Sequence, residues 1–302
     1  MITIFTPTYN RGYTLERLYE SLCRQTRKDF EWVVVDDGST DNTKQMVDRW
    51  RRTNRFPIRY IYQENRGKPS AHNLGAENAQ GELFACVDSD DYLVPTAIED
   101  IEECWKVNCG NKNSIIGIVC NRGYDEKNAM TKWRSDVLQE IHLREAYTDG
   151  ILSGDTMLIY RTDIVRRHCF PYFEGEKFVP ESFLYDQIDM EGTLYVLDKV
   201  LYIGEYLPDG YTASMKKTNA LSPNGYRAYL IQRILLEKES AMKSVGFKSM
   251  LFDMIRLISI DIGIRRSAFT DLRELGGWRI LTILLYPAGV YRYFRDFHKF
   301  MR

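Results

Sequence analysis

The rest of this chain is organised around the stretch Val87-Asp88-Ser89-Asp90-Asp91-Tyr92. It places three carboxylates within four residues, directly after the apolar run 83–87. In open α/β sheets, ligands bind beyond the carboxyl ends of the strands. Because these carboxylates directly follow a predicted buried strand, they are expected at such a ligand site. Hard oxygen ligands suit Mg²⁺ or Mn²⁺ held together with phosphate groups. The stretch therefore predicts a cation site formed by Asp88, Asp90 and Asp91.

The same stretch has an ordinary structural alternative. Asp88 or Ser89 can end the strand, and Asp90 and Asp91 can precede a helix whose first turn holds Pro95. Acidic residues are common before helices, so the cluster alone leaves both interpretations open. The rest of the chain decides between them.

Length and composition indicate the class of protein. The 302 residues suffice for one large domain or a domain with an appendage, and 44% of them are hydrophobic, which supports a sizeable core. The net charge of −1 argues against a general nucleic-acid binder, because it leaves no surplus of Lys and Arg for a phosphate backbone. The six cysteines form no CxxC pair, which favours reduced thiols in a cytoplasmic protein. Residues 1–5 are typical of a first strand and not of a signal peptide.

Apolar runs alternate with helical patterns along the first third of the chain. The runs, which are typical of buried strands, are 2–6, 31–36, 58–62 and 83–87. Between them, apolar residues recur at helical spacing or Pro69 begins a helix. Ser39 or Thr40 is expected to be the N-cap of the helix after the second run. This alternation predicts an α/β fold with a doubly wound, mainly parallel sheet flanked by helices.

Three motifs along this predicted sheet resemble a known family. They are Thr6-Pro7-Thr8-Tyr9-Asn10-Arg11, Val35-Asp36-Asp37-Gly38-Ser39-Thr40-Asp41 and Asp88-Ser89-Asp90-Asp91. In order and spacing they resemble the nucleotide-binding half of the family 2 inverting glycosyltransferases, which have the GT-A fold. The resemblance covers about the first 120 residues and extends weakly over roughly the next hundred. It implies a Rossmann-like sheet that binds a nucleotide-sugar.

The resemblance also implies roles for individual residues. Tyr9 is expected to lie against the base of the donor, and Asp37 to accept a hydrogen bond from it. Asp88 is expected to hold the ribose and Asp90 the metal that bridges the diphosphate, while Asp91 supports either. The expected donor contacts are Pro7, Tyr9, Asn10, Arg11, Asp37, Lys68, Asn73, Asp88, Ser89 and Lys216.

The basic loop 65–73 departs from the family at one position. Lys68 and Arg66 are expected near the diphosphate or behind Asp88. Family members often carry Arg where this chain has His72, directly before Asn73. We expect His72 to be a surface or capping histidine on a helix, and a poorer ligand for Mg²⁺ than the carboxylates.

The catalytic base is predicted in the stretch 178–186. Family members usually carry an acidic pair at the start of a helix, and here Glu181 follows Pro180 while Ser182 takes the second acidic position. Glu181 is therefore the candidate base, with Asp186 in reserve. The alternative is helix capping, because the macrodipole favours Glu in a first helical turn. The implied reaction is a single displacement with inversion, in which the base takes the proton of the acceptor hydroxyl.

The domain boundaries are placed from composition. Residues 1–207 are assigned to the catalytic domain, ending with an edge strand at 201–207. Residues 208–225 are assigned to a mobile loop that carries Lys216 and closes over the donor. Residues 226–302 are predicted to be a helical C-terminal appendage.

The end of this appendage has two interpretations. Its charge-free run 280–291 has twelve residues, fewer than the about 20 that span a bilayer. The aromatic and basic residues around this run suit an interfacial helix at an anionic membrane surface. The alternative is a helix that buries Leu281, Leu284 and Leu285 on the catalytic domain.

These features, together with the family resemblance, imply a metal-dependent inverting hexosyltransferase that uses Mg²⁺ or Mn²⁺. The donor is expected to be a UDP-sugar, and the acceptor a hydroxyl of a polysaccharide or of a lipid-linked oligosaccharide. The expected location is the cytoplasm, with the inner face of the cell membrane as a peripheral site, and no nucleic-acid partner is expected. The alternative is a catalytically silent scaffold of the same fold that binds a nucleotide or a partner enzyme. Ser182 favours that alternative, whereas the three aspartates favour the enzyme.

Overall fold

The computed structural model describes residues 1–110, 112–134, 139–204, 211–239, 244–268 and 279–301. The chain divides into two compact units. The first comprises Met1–Phe170 and Leu184–Glu205, and the second Pro171–Phe183 and Tyr206–Arg302. Of the predicted catalytic domain 1–207, Pro171–Phe183 and residues 206–207 belong to the second unit, and the rest forms the first unit.

The first unit is built around one large sheet. The strands in chain order are β1 (Ile2–Thr8), β2 (Phe30–Asp36), β3 (Ile58–Tyr62), β4 (Leu83–Cys86), β5 (Tyr92–Leu93), β6 (Ile115–Gly123), β7 (Lys132–Trp133), β8 (Glu140–Ile141), β9 (Leu152–Ser153), β10 (Thr156–Arg161) and β11 (Thr193–Ile203). Among the strands described, nine form this sheet in the order β3-β2-β1-β4-β10-β6-β11-β5, with β8 beside β11. Strands β7 and β9 pair separately.

The predicted parallel half of the sheet is confirmed. β1 pairs in parallel with β2, from Ile2 opposite Phe30 to Thr8 opposite Asp36, and with β4 on its other side. β2 pairs in parallel with β3. Every residue of β2 is buried, as expected for a strand covered on both faces. The loops after β1, β2 and β4 therefore leave the sheet at the same edge, where ligands of such sheets bind.

Helices cover this sheet. They are α1 (Gly12–Cys23), α2 (Thr43–Thr53), α3 (Lys68–Asn78), α4 (Ala97–Cys104), which continues into a π-helical turn at Trp105–Cys109, α5 (Leu143–Thr148), α6 (Thr162–Arg167) and α7 (Ser182–Ile188). The helical spacing of Leu15, Leu18 and Leu22 predicts the buried face of α1 correctly. The apolar side chains of α1, α2, α4 and the π-helical turn form one core with the sheet.

Two local predictions in this unit are wrong. The N-cap of α2 is Asn42 and not Ser39 or Thr40, because these two residues bond to the loop after β1. The alternative in which Asp90 and Asp91 precede a helix with Pro95 in its first turn fails as well, because α4 begins at Ala97. The short strand β5 follows them, since Tyr92 and Leu93 pair with Ile203 and Tyr202 of β11.

The predicted edge strand at 201–207 also differs from the structure. Residues 201–203 are the end of β11, which pairs with β6 on one side and with β5 and β8 on the other. They therefore lie inside the sheet. Residues 205–207 are outside the described residues.

The second unit is mainly helical in its described part after residue 210, whereas residues 171–181 are irregular. Its helices are α8 (Tyr211–Leu221), α9 (Pro223–Glu239), α10 (Ser244–Gly263) and α11 (Arg279–Arg292), and a π-helical turn follows at Tyr293–Phe297. The helical pattern predicted after residue 226 is present in these ranges. Helix α8 replaces the predicted loop over 211–221, and residues 208–210 lie outside the described residues. None of the helices that the structure describes is both long and apolar enough to cross a membrane.

Buried charges in the second unit are paired. Asp253 accepts hydrogen bonds from Arg233 at 2.7 Å and from Arg256 at 2.8 Å. Asp261 accepts one from Arg227 at 3.0 Å. An unpaired buried charge is strongly destabilising, so these pairs are what allows carboxylates to lie between the helices.

Candidate functional site

The loops after β1 and β2 are fastened to each other. Asn10 has a φ of 52°, its backbone N–H donates to Ser39 Oγ at 2.9 Å, and its side-chain oxygen accepts the N–H of Thr40 at 2.8 Å. The N–H of Gly12 donates to Asp41 Oδ2 at 3.0 Å. Asn10 thus joins two loops at the ligand-binding edge, and the ring of Tyr9 stays 48% exposed beside it.

Asp37 holds the next loop of the site. Its Oδ1 accepts hydrogen bonds from Gln63 Nε2 at 2.6 Å and from the N–H of Arg66 at 2.8 Å, and its Oδ2 accepts the N–H of Gly67 at 2.9 Å. The side chain is buried. A contact between Asp37 and a base has to share oxygens that already accept these bonds, and that contact stays a prediction.

The three carboxylates after β4 come together as the sequence predicts. One ligand oxygen of each of Asp88, Asp90 and Asp91 lies within 4.8 Å of the others. Lys68 Nζ donates to Asp88 Oδ1 at 2.6 Å, and Arg17 donates to the backbone oxygen of Asp90. The expected position of Lys68 behind Asp88 is therefore observed. Ser89, between the acids, is buried.

Crowding and burial act on the pKa values of these acids. Burial raises the pKa of Asp90, and the charge of Asp88 raises it further. Burial also raises the pKa of Asp91 to about 7, although the charge of Arg122 opposes it. Burial acts in the same direction on Asp88, but the charge and hydrogen bond of Lys68 outweigh it and hold the pKa of Asp88 below its ordinary value. A cation that binds among these buried, mutually repelling carboxylates would stabilise their ionised forms.

Two residues that sequence analysis missed contact Asp91. Asp91 Oδ2 accepts hydrogen bonds from the Tyr202 hydroxyl at 2.6 Å and from Arg122 Nη2 at 3.0 Å. Arg122 Nη1 also donates to Asp155 Oδ2 at 3.2 Å. Arg122 and Tyr202 stand near the carboxyl ends of β6 and β11, and polar residues at strand ends were the signal available in the sequence.

The acidic cluster fits a hard divalent cation. Asp91 Oδ1 is buried and has no hydrogen-bond partner among the described residues. Buried polar atoms are nearly always satisfied, so this oxygen of a residue clustered with two further carboxylates fits a role as a cation ligand. A donor set made only of oxygens suits Mg²⁺ or Mn²⁺ better than zinc.

His72 does not lie at the surface, and the expectation of a surface or capping histidine is wrong. Its ring meets those of Phe5, Phe84 and Phe170 edge to face, with centroids 5.5, 5.3 and 5.4 Å away. His72 lies on the face of α3 that packs against the sheet. Burial and, to a smaller extent, the charge of Lys68 lower its pKa to about 3, so the imidazole is neutral.

Replacing His72 by phenylalanine is expected to make the fold less sensitive to acid. The pKa of His72 falls from 6.5 to about 3 on folding. The contribution of neutral His72 to the free energy of unfolding is therefore full above the unfolded pKa, and it is lost as the pH falls toward the folded pKa. The loss amounts to about 3 kcal/mol between roughly pH 6.5 and 4. Urea unfolding at both pH values measures the difference, with the exposed His142→Phe as control. An equal loss of stability in His72→Phe and in the wild type would refute the burial argument.

Asn73 fastens the same region. Its amide nitrogen donates to the backbone oxygen of Phe170 at 2.9 Å, and its amide oxygen accepts the N–H of Phe170 at 2.9 Å. Both polar groups of the side chain are therefore used within the fold. The predicted contact of Asn73 with the donor stays a prediction.

The other predicted donor contacts have these surroundings. Pro7 is half-buried near the end of β1, and the Arg11 guanidinium lies 5.6 Å from the centre of the Tyr13 ring. Lys216 belongs to the second unit, where its ammonium group bonds Asp296 Oδ1 at 3.0 Å. Their contacts with a donor stay predictions.

The two candidate bases belong to different units. Glu181 is exposed, belongs to the second unit and directly precedes α7, whose first two residues are also in that unit. The N–H of Phe183 donates to the backbone oxygen of Pro180 at 2.9 Å. Asp186 is half-buried on α7 and is part of the first unit. The position of Glu181 beside a helix start agrees with the sequence prediction, and its role as base stays a prediction.

Comparison with protein families and curated proteins gives a consistent result. The family model for glycosyl transferase family 2 matches residues 3–168, more than half of the chain. The glycosyltransferase GlyG of Streptococcus pneumoniae is 36% identical over 128 residues, 42% of this chain and 40% of that protein. The putative glycosyltransferase EpsH of Bacillus subtilis is 27% identical over 175 residues, 55% of this chain and 48% of that protein. The first eight curated relatives are matched over 16% to 52% of their own length.

Solved structures share the fold over nearly the whole chain. TarS of S. aureus covers 97% of this chain, with 55% of its own length, a TM-score of 0.58 and 22% identity. TarS 1-349 in complex with UDP-GlcNAc gives a TM-score of 0.55 at 18% identity, covering 98% of this chain and 92% of that one. The mannosyltransferase PcManGT from Pyrobaculum calidifontis, in complex with GDP-Man and Mn²⁺, gives 0.53 at 18%, covering 98% and 87%. At these identities the likeness concerns the fold.

Proposed function

This chain belongs to glycosyl transferase family 2 and has the GT-A fold, and from that premise we propose that it transfers a sugar from a UDP-sugar to a hydroxyl group. The observation that carries the proposal is the cluster of Asp88, Asp90 and Asp91, within 4.8 Å of one another at the ligand-binding edge. The UDP, UDP-GlcNAc and GDP-Man complexes of proteins with the same fold support a nucleotide-sugar as donor.

The donor is bound by the loops after β1, β2 and β4. The exposed ring of Tyr9 offers its face to the base, and Asp88, held by Lys68, binds the ribose. Asp90 and Asp91, with Asp88 beside them, would hold Mg²⁺ or Mn²⁺ near the diphosphate. When bound, the cation neutralises the charge that grows on the departing nucleoside diphosphate.

The acceptor hydroxyl is activated by Glu181. Its carboxylate takes the proton as the hydroxyl oxygen attacks the anomeric carbon, and the product has the inverted configuration. General-base catalysis of this kind contributes about 10²- to 10⁴-fold. The acceptor is a saccharide, either in a polysaccharide or on a lipid carrier, and the transferred sugar is a hexose.

A panel of nucleotide-sugars tests this function. Nucleotide release is measured for UDP- and GDP-hexoses with Mg²⁺ or Mn²⁺, with and without saccharide acceptors. We expect turnover of at least one UDP-hexose. Tight nucleotide binding without any turnover would favour the catalytically silent scaffold instead.

We propose that the protein lies peripherally on the cytoplasmic side of an anionic membrane. The supporting observation is an apolar face of α11 and the following turn that is exposed to solvent. It comprises Ile280 (77% exposed), Ile283 (60%), Leu284 (70%), Tyr291 (65%) and Phe294 (63%). The last 28 residues contain five Lys or Arg and one acidic residue. Apolar and aromatic residues with neighbouring cations are typical of interfacial helices.

Helix α11 also has an inner face. Leu281 and Leu285 pack against the core of the second unit. The alternative that also buries Leu284 is wrong, because this side chain is 70% exposed. The helix therefore has one face for its own unit and another that can face lipid.

Replacing Ile283 and Leu284 together by serine is expected to weaken binding to anionic vesicles about 10-fold or more, because apolar area that enters the interface is lost. Sedimentation with phosphatidylglycerol vesicles at low salt measures the effect. Val107→Ser is the control, since Val107 is 81% exposed in the first unit. Absence of vesicle binding by the wild type, or equal binding by the double variant, would reject the membrane proposal.

A further inference from the structure

Tyr202 lies behind the acidic cluster and contacts two of its members through one oxygen atom. Its hydroxyl accepts the backbone N–H of Asp88 at 3.1 Å and donates to Asp91 Oδ2 at 2.6 Å. The side chain is 5% exposed. This hydroxyl therefore links the two ends of the acidic turn.

The sheet fixes the position of this hydroxyl. Tyr202 stands opposite Leu93 of β5 on one side and opposite Arg122 of β6 on the other. The Arg122 guanidinium packs over the Tyr202 ring at 5.2 Å from its centre. A tyrosine phenol carries its proton at neutral pH, so this hydroxyl can donate to Asp91 while it accepts from Asp88.

The chain leaves space for this arrangement. A Cβ atom at Gly204 would lie 2.2 Å from Arg122 Nη2, so any larger residue there displaces the guanidinium. Arg122 in turn holds Asp91 and Asp155 with different nitrogens. Asp91 Oδ2 is thereby occupied by Tyr202 and Arg122, which leaves the buried Oδ1 without a partner among the described residues.

We propose that Tyr202 is a positioning residue for the cation site. Its hydroxyl sets the spacing between Asp88 and Asp91 and turns the free oxygen of Asp91 toward the cation. The proposal rests on the proposed function, because it concerns the same site. Groups that orient metal ligands typically change metal affinity by about 10- to 100-fold when they are removed.

The test uses Tyr202→Phe, which removes one oxygen atom and keeps the ring under Arg122. Binding of Mn²⁺ alone is measured by electron paramagnetic resonance, without donor or acceptor. We expect Mn²⁺ to bind about 10-fold more weakly or worse. We also expect donor turnover to recover as the Mn²⁺ concentration is raised, because the ligands are displaced and not removed.

Tyr160→Phe is the matched control. The Tyr160 hydroxyl is also buried in the same sheet, on β10, but it has no hydrogen-bond partner in the described part of the chain. Its removal is expected to leave Mn²⁺ affinity unchanged. Equal weakening in both variants would attribute the effect to general packing and overturn the positioning role.

Three further outcomes are decisive. Unchanged Mn²⁺ affinity in Tyr202→Phe, with normal binding by the wild type, overturns the positioning role and leaves the proposed function intact. No Mn²⁺ binding by the wild type overturns both. If Tyr202→Phe fails to fold, Tyr202→Met is measured instead, because it also removes the hydroxyl and keeps an apolar side chain. Unchanged Mn²⁺ affinity in Tyr202→Met would equally overturn the proposal.

Discussion

Replacing Asp90 by asparagine is expected to lower transfer from the nucleotide-sugar by about 10³-fold or more. The substitution removes a charged oxygen from the proposed cation site and changes the shape of the side chain very little. Cation stabilisation of a leaving diphosphate is worth several kcal/mol, and each 1.36 kcal/mol is tenfold in rate. We therefore expect the largest loss of activity at this position.

The fold is expected to survive this substitution. Burial and the charge of Asp88 raise the pKa of Asp90, so its ionised form is under strain in the free protein. Asparagine removes that repulsion, and the melting temperature should stay equal or rise slightly. Asp163→Asn on α6, at a carboxylate paired with Arg161 at the surface, is the control and should keep full activity. An Asp90→Asn protein that keeps more than about a tenth of the wild-type rate would contradict the metal assignment.

Replacing Glu181 by glutamine is expected to lower transfer by about 10²-fold or more while donor binding stays nearly unchanged. Only proton abstraction is lost, because glutamine keeps the size and the hydrogen-bonding oxygen of the side chain. Donor binding is assigned mainly to the loops after β1, β2 and β4, which do not include Glu181. Calorimetry with UDP and Mn²⁺ measures donor binding, and acceptor-dependent nucleotide release measures transfer.

Asp186→Asn, on the helix α7 that Glu181 directly precedes, is the matched variant. We expect it to keep most of the transfer activity. If Asp186→Asn loses transfer with normal donor binding and Glu181→Gln does not, the base is Asp186.

The parallel half of the fold follows from the sequence because its signals are local. Strands buried on both faces require continuous apolar runs, and β2 carries one in which every residue is buried. The cluster of Asp88, Asp90 and Asp91 is also local, since its members are adjacent along the chain. The family resemblance added the roles of the loops, which composition and periodicity do not contain.

The features that sequence analysis missed depend on distant contacts. Tyr202 bonds Asp91 across 111 positions of the chain, and Arg122 does so across 31. From the sequence alone, His72 is predicted to lie at the surface. Only the packing of α3 on the sheet surrounds it with three phenylalanine rings. No local pattern reports such neighbours.

Helix starts and loops were missed for a related reason. The polar residues of α8 resemble those of a loop, yet 211–221 is helical. Ser39 and Thr40 have the side chains of an N-cap, but their hydrogen bonds go to Asn10. Local propensity is a weak prior that tertiary contacts override.

The most direct measurement is nucleotide release from the best UDP-hexose by the wild-type protein, first with Mn²⁺, then with excess EDTA, and then after Mn²⁺ is restored. Asp90→Asn is carried through the same series. We expect turnover with Mn²⁺, its loss in EDTA, its return when the metal is restored, and no turnover by the variant at any stage. Full turnover by the wild type in EDTA would contradict a cation held by Asp88, Asp90 and Asp91.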